Sequence, residues 1–467
     1  MGVGEAVSPL AARRLAVGHT QEALAELLGV AVSTVGRWER GTQTPQPWQR
    51  ADLANNLKIT LVELDTLLDH TTGHDQAPPS TGGPADRAAI ATTVRDSQRA
   101  WLRVRQAPGV RGRELTELAA WLYPQPQRAP GGHVLAGPGW LLDQPIDLDA
   151  VHLTWSQAHT PPPPLHPVDH VLPLTDRGQR YRGYSRAVRD LVRPRLLENR
   201  LSYRLLNLTP TTIGLTLTLG TTTFFEVFDV KQAIAHEFKA AWLANHRTTP
   251  SWDTLPLRAM LGDPFDPHQL LMSPGISTLT IRRDPHGDHQ FVLHERDGGK
   301  VADGGGLCHV TPAGEFQPSS LNPTEVRNDC CLWRNIMREF SEELLGNPEH
   351  DGSSARTIDH TTEEPFRSFN QARSQGRFRL WHYGLVLEPL ELGAVQLTVA
   401  VIDADTFDHL FANMVDTNDE GHIVSRTGHT HMPFTDDAID RLDPRLSASA
   451  LTLLRLARRD HHLLLDN

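Results

Sequence analysis

The spacing of apolar residues changes along this chain. From Ser8 to Leu68 it is helical. Ala23, Leu24, Leu27 and Leu28 fall on one face of a segment that Thr20 can cap and Gly29 can end. Val32, Val35 and Trp38 line a second segment, which Gly41 and Pro45 close. Segments Ser8 to Val17, Pro47 to Leu57 and Leu61 to Leu68, the last capped by Thr60, complete a predicted five-helix bundle ending near His70. Residues 71–85 hold Gly, Pro, Ser and Thr without apolar period and read as a flexible linker.

Residues 86–275 mix both periods. Positions 86–123 are predicted helical, and Gly and Pro break the chain over 124–139 and at Pro161–Pro164. Arg180 to Leu206 is predicted to be an Arg-rich helix, Leu215 to Phe228 strands, and Asp229 to Leu243 a helix. From Ile276 alternation dominates, in ISTLTIRRD, QFVLHERD, Phe378–Leu387 and Val395–Val401. Between these strands lies a helix with Trp333, Met337, Phe340 and Leu344 on one stripe and Glu339, Glu342 and Glu343 roughly opposite. Asp405 to Asn413 and the Leu-rich Ala448 to Leu465 read as further helices. The predicted fold class is multidomain, α plus α/β. It comprises a helical bundle over 1–70, a linker over 71–85, a mixed α/β region over 86–275 and an α/β domain over 276–467.

Composition narrows the setting. No apolar run approaches the roughly 18 residues of a membrane span. The first ten residues lack a basic-then-apolar signal pattern. Cys308, Cys330 and Cys331 make no C-x-x-C pair, which fits a reduced, cytoplasmic environment. Lysine stands only at 58, 231, 239 and 300, and this Arg bias suits a high-GC genome such as an actinobacterial one. The net charge of −11 is unusual for a DNA binder, and residues 1–70 hold six Lys or Arg against eight Asp or Glu. DNA affinity would therefore need a local patch, such as Arg13, Arg14, Arg37, Arg40 and Arg50, and two copies reading two half-sites.

Two short helices that cannot bury their own faces, joined by a few residues, suit a helix-turn-helix. The outward face of the second carries Ser33, Thr34, Arg37 and Arg40, hydroxyls and guanidiniums able to reach base edges and phosphates from a major groove. The residues TQEALAELLGV-AVSTVGRWERG-TQTP resemble the Cro/C1-type (XRE) helix-turn-helix family. That resemblance implies a phosphate contact by Gln21, base contacts by Ser33, Thr34 and Arg37, and a core role for Trp38. The Arg-rich run from 180 offers a second nucleic-acid surface, or a solvated helix face paired with acidic neighbours, the commoner case.

Three carboxylates on one helix face repel unless a cation sits among them, and Mg²⁺ takes such oxygen ligands together with phosphates. A solvated acidic face is the ordinary alternative. The order of strand, Pro-Ala-Gly-Glu turn and R-E-x-x-E-E helix resembles the Nudix fold and its signature helix. The resemblance implies metal-holding roles for Glu339, Glu342 and Glu343, oriented by Arg338. The family pattern is G-x5-E-x7-R-E-U-x-E-E-x-G-U. Here Cys330 stands where its upstream Glu belongs and Thr324 where its Gly belongs. Gly314 lies 24 residues before Arg338 instead of 14, and Gly346 is one position late. Asp419 or Glu420 could add a carboxylate, and His429 with His431 could ligate a metal.

The reading that follows is a sequence-specific transcriptional regulator. It would act on a double-stranded operator as a homodimer, with a Nudix-like domain sensing a nucleotide-like effector. The alternatives are a Mg²⁺-dependent hydrolase of a nucleoside-diphosphate-linked substrate carrying a DNA-binding head, and a scaffold whose Nudix-like fold only binds protein.

Overall fold

The computed structural model describes residues 8–28, 30, 32–41, 44–45, 47–71, 84–110, 112–156, 169–194, 197–212, 214–296, 306–320, 322–348, 358–415, 421–423 and 431–466. The chain forms two units, Met1–Ala89 and Ile90–Asn467.

The first unit holds helices α1 (Pro9–Ala16), α2 (Gln21–Leu27), α3 (Val32–Glu39), α4 (Pro47–Asn56) and α5 (Leu61–Thr71). Their starts follow local chemistry. Ser8 accepts the Ala11 N–H and Thr20 the Ala23 N–H. Thr60 and Glu63 form a reciprocal box, each accepting the other's backbone N–H. Leu10, Leu24, Val35, Trp38, Leu53 and Leu64 meet in one core. Three expected core residues are not in it, Ala23 being only half-buried. Leu27 is 55% exposed, because the inward face of α2 is centred on Leu24, Ala25 and Leu28. Val32, the first residue of α3, is 40% exposed, and Glu39 completes the buried face instead.

Helix α6 (Pro84–Gln106) crosses the division between the units, and residues 72–83 of the expected linker lie outside the described residues. The second unit continues with α7 (Arg113–Ala120), β1 (Leu141–Asp147), β2 (Val151–Trp155), α8 (Tyr184–Leu191), β3 (Leu201–Pro210), β4 (Leu215–Thr223), α9 (Phe224–Ala244) and α10 (Pro256–Met260). Then come β5 (Gly275–Arg283), β6 (Gln290–Phe291), β7 (Leu293–Arg296), β8 (Cys308–Val310), β9 (Ala313–Gly314), α11 (Pro323–Asn328), α12 (Leu332–Glu343) and α13 (Phe366–Ser374). The chain ends with β10 (Phe378–Glu388), β11 (Gly393–Asp403), α14 (Ala404–Leu410), β12 (Gly421–Ile423), β13 (Met432–Pro433), α15 (Asp436–Leu442), α16 (Ala448–Arg459) and α17 (His461–Leu465).

The main sheet runs β1-β10-β11-β5-β6-β13, with β9 added beside β5. Only β11 and β5 are parallel within it. Helices cover both faces. Phe378 of β10 packs edge-on against Trp333 and Phe340 of α12. Tyr383, at the bulge of the same strand, reaches the Leu456 carbonyl and Asp460 at α16. A second sheet orders β2-β4-β3, and a third β12-β7-β8.

Several expectations change here. The boundary drawn at 275/276 is no boundary, since β1 pairs with β10 and the Tyr203 N–H donates to the Phe316 carbonyl. The predicted helix from Arg180 to Leu206 is only α8; Arg193 ends it in the left-handed region (φ 56°) before Pro194, and β3 follows. Phe224–Phe228 are helical, because Thr223 and Glu226 form a capping box that starts α9 there. The C-terminal helix breaks at Asp460 into α16 and α17.

Two buried histidines give this unit a pH signature. Burial holds the His236 imidazole down at about 3 and His382 down at about 4, from an ordinary 6.5. Both are neutral when folded, whereas the unfolded chain takes up protons below pH 6.5. Stability should therefore be complete above pH 6.5 and fall as pH drops toward 4. Urea midpoints across pH 4–7.5 should show this loss, and His236→Gln should flatten the slope by about 1.4 kcal/mol per pH unit. An unchanged slope would show that His236 is not neutral in the folded protein.

Candidate functional site

Helix α3 presents Arg37 outward and buries its apolar stripe. Val35 and Trp38 are 1% exposed, which leaves Arg37 and Arg40 on the solvent side and Thr34 half-buried between. Arg37 Nη2 donates to Thr34 Oγ1 at 3.2 Å, so hydroxyl and guanidinium stand side by side. The Arg40 guanidinium lies back over Gly36, where a Cβ would come within 3.1 Å of it. Ser33 lies in the first turn of α3, and its side chain is outside the described residues.

Beneath this face is an ion pair that periodicity did not reveal. Arg14 of α1 is 7% exposed and Glu39 of α3 is 6% exposed. Arg14 Nε donates to Glu39 Oε1 at 2.5 Å, and Nη1 donates to the His19 carbonyl at 2.7 Å. Gln21 Nε2 donates to the other carboxylate oxygen of Glu39 at 2.5 Å. The start of α2, the end of α3 and α1 thus share one buried carboxylate. The available signal was Glu39 itself, four residues after Val35 and therefore on the core side of α3.

The expected basic patch shrinks accordingly. Arg14 is a buried structural residue and leaves that patch. Arg13 donates to the Leu57 and Lys58 carbonyls past the end of α4, and Arg50 to the Pro45 carbonyl. Arg37 and Arg40 are the members whose positions on α3 match the expectation.

Helix α12 in the second unit is not a solvated acidic face. Glu339 and Glu343 are each 7% exposed, and the expected stripe of Trp333, Met337, Phe340 and Leu344 is buried on the other side. Arg338, 3% exposed, donates to the Gln317 carbonyl at 2.8 Å, to Asn335 Oδ1 at 2.8 Å and to Glu339 Oε1 at 3.1 Å. Its Nε stands 3.8 Å from Glu342. Glu343 accepts from Thr311 Oγ1 at 2.5 Å and from the Ala313 N–H at 3.0 Å. Burial pushes the Glu339 carboxyl well above its ordinary range, and Glu342 beside it adds to the rise. A Cβ on Gly314 would strike the Glu339 carboxylate, so a larger residue there would have to displace that side chain.

The residues between Gly314 and Arg338 that exceed the Nudix spacing include α11. Tyr203 Oη holds it by donating to the Val326 carbonyl at 2.7 Å, and Asp329 accepts from the Ser319 N–H and hydroxyl. Cys330 is partly buried, and burial pushes its thiol up to about 12. Among the described residues no three His, Cys, Asp or Glu side chains are placed to hold one metal ion. The Mg²⁺ that Glu339, Glu342 and Glu343 would hold does not fit this arrangement, because Glu343 spends both oxygens on the 311–313 turn and Glu339 faces Arg338. Asp419, Glu420 and His429 lie outside the described residues, and His431 packs edge-on against Phe407.

Residues 10–64 match the family model described as Helix-turn-helix. The match spans α1 to α4 and the start of α5, and it supports a DNA-binding transcriptional regulator of XRE type. No curated protein matches the chain. No helix among the described residues is long and apolar enough to cross a membrane.

The buried pair yields a sharp expectation. Glu39→Ala would strand the Arg14 guanidinium in the core and should destabilise the first unit by about 3–5 kcal/mol. Arg14→Met combined with Glu39→Leu should recover most of that loss. Chemical denaturation followed by Trp38 fluorescence checks this, and a single variant as stable as the parent would refute the burial argument.

Proposed function

We propose that the chain is a sequence-specific transcriptional regulator that reads double-stranded DNA with α3. The observation that carries this is the outward display of Arg37, with half-buried Thr34 bonded to it and exposed Arg40 just past the helix end, on the second helix of a matched helix-turn-helix. Ser33, Thr34 and Arg37 read base edges, Arg40 takes phosphate, and Gln21 meets phosphate at the start of α2. A head of near-neutral charge binds weakly alone, so the working species is a homodimer on paired half-sites.

Selection of preferred duplexes followed by footprinting tests this reading. Arg37→Ala should lose about 1–3 kcal/mol at the selected site and relax preference at one base position. An unchanged footprint and affinity would remove Arg37 from the reading face. A monomeric mass for the full chain bound tightly to a single half-site would remove the dimer.

The larger unit is the sensor in this proposal. Its support is an α/β/α sandwich carrying the Nudix-like sequence Arg338-Glu339-x-x-Glu342-Glu343 on one buried helix. The effector is nucleotide-like, and the unit acts by binding it rather than consuming it. A Mg²⁺-dependent hydrolase is the second reading, resting on the same carboxylates. It is disfavoured by Cys330 at the upstream Glu position and by Glu343 being engaged with the turn. A thermal-shift screen against nucleotides and dinucleotides, with and without Mg²⁺, separates the two. The sensor reading expects stabilisation without turnover, weakened in Glu342→Gln while basal operator binding persists. Turnover at about 1–1000 per second, lost in Glu342→Gln, would put the hydrolase first. No stabilisation by any nucleotide would leave the fold as a scaffold.

A further inference from the structure

The larger unit carries a basic surface that the helix-turn-helix does not use. On α6, Arg95, Arg99 and Arg103 recur every fourth residue and are exposed, on the face turned away from buried Val94 and Trp101. Successive members stand about 6 Å apart along the helix. The segment leading into α8 adjoins this helix directly. Ser97 Oγ accepts the Leu174 N–H at 3.0 Å, Gln98 Nε2 donates to Asp176 at 3.0 Å, and Arg105 Nη1 donates to the Tyr184 hydroxyl at 3.0 Å. This segment and α8 expose Arg177, Arg182, Arg186 and Arg189.

Counter-charges there are few. Asp190 pairs with Arg186 and Arg189, and Asp176 faces Gln98. Asp96 is the acidic residue among the ridge on α6. Arg95, Arg99, Arg103, Arg177 and Arg182 have no hydrogen bond or ion pair with another described residue. Elsewhere in the unit some exposed arginines are matched, as Arg445 is by Glu295 and Arg367 by Glu364. The preceding stretch 157–168 contains no Asp or Glu. In a chain of net charge −11, such a concentration of unmatched guanidiniums is a local feature.

We propose that this face of α6 and α8 binds the phosphate backbone of duplex DNA without reading its sequence. Guanidiniums spaced along a rigid helix suit phosphates, and neutralising them releases counterions. The rings of this region, Trp101, Tyr181 and Tyr184, are buried, so no stacking platform is offered to single strands. The surface would supply the sequence-independent attraction that a head with a charge near zero lacks.

The test uses the full-length protein and a random-sequence 30-base-pair duplex, followed by fluorescence anisotropy between about 50 and 200 mM salt. Arg95→Glu/Arg99→Glu/Arg103→Glu should bind at least about tenfold more weakly at the low-salt end, with a log–log salt slope shallower by about 3. The corresponding triple Lys variant should keep the parental slope. Arg177→Glu/Arg182→Glu provides a second variant should the first not fold. Base preference in duplex selection should survive in both, which separates this surface from the reading helix. Parental affinity and slope in the Glu variants would overturn the proposal. So would tighter binding to single-stranded RNA, or to vesicles of mixed neutral and anionic lipid, abolished by the same substitutions.

Discussion

A guanidinium taken out of water needs acceptors close at hand, and such groups organise both units, although the Nε of Arg338 and of Arg258 has no hydrogen-bond acceptor among the described residues. Arg14 is answered by Glu39 and the His19 carbonyl, and through Glu39 it fixes the helices that flank the turn of the head. Arg338 is answered by Gln317, Asn335 and Glu339, and it ties α12 to the loop that precedes α11. Arg258, 1% exposed, donates to Tyr123 and to the Pro389 and Leu390 carbonyls, joining α10 to the turn after β10. Each would cost several kcal/mol if left unanswered. Their partners are therefore fixed more tightly than apolar contacts alone would fix them.

This constraint explains why α12 keeps so acidic a sequence without a solvated face. One buried cation, Arg338, needs at least one carboxylate, and Glu339 stands beside it. Glu343 fastens the turn at Thr311 and Ala313 to the helix. Glu342 remains the least buried of the three and stands 3.8 Å from the Arg338 Nε. A helix of this composition can thus be retained for holding a loop as well as for holding an ion.

What could be read from the sequence was what repeats locally. The stripes Val35–Trp38 and Trp333–Met337–Phe340–Leu344 obey the helical period, and both are buried. Strands β5, β10 and β11 alternate or run apolar, and they form the centre of the main sheet. What escaped was set by distant partners. The sequence of β1, Leu-Leu-Asp-Gln-Pro-Ile-Asp, has acidic residues and Pro145, which argue against a strand, yet β1 lies at the sheet edge where a missing N–H is tolerated. In β3 the run Ser202 to Leu206 is buried on both faces, so no alternation marks it. Arg14 and Glu39 are 25 residues apart, and neither position is unusual until the helices meet. The exposure of Arg37 and Arg40 was legible for the opposite reason. An outward-facing residue is left over once the core stripe is known.

The charge distribution closes the physical argument. A head with a slight acidic excess cannot rely on bulk attraction to find DNA, and a body that is acidic overall repels it. In the proposed reading Arg37 supplies specificity once in the groove, but contacts to base edges act only at short range. Long-range attraction must come from clustered cations whose field is not cancelled within a Debye length of about 8–10 Å. Some exposed arginines of the larger unit, such as Arg445 and Arg367, are cancelled by a glutamate at contact distance. On the ridge of α6 and the segment before α8 uncancelled arginines are clustered, so the acidic body and the basic ridge act together. The first discourages binding by other faces, and the second orients the encounter.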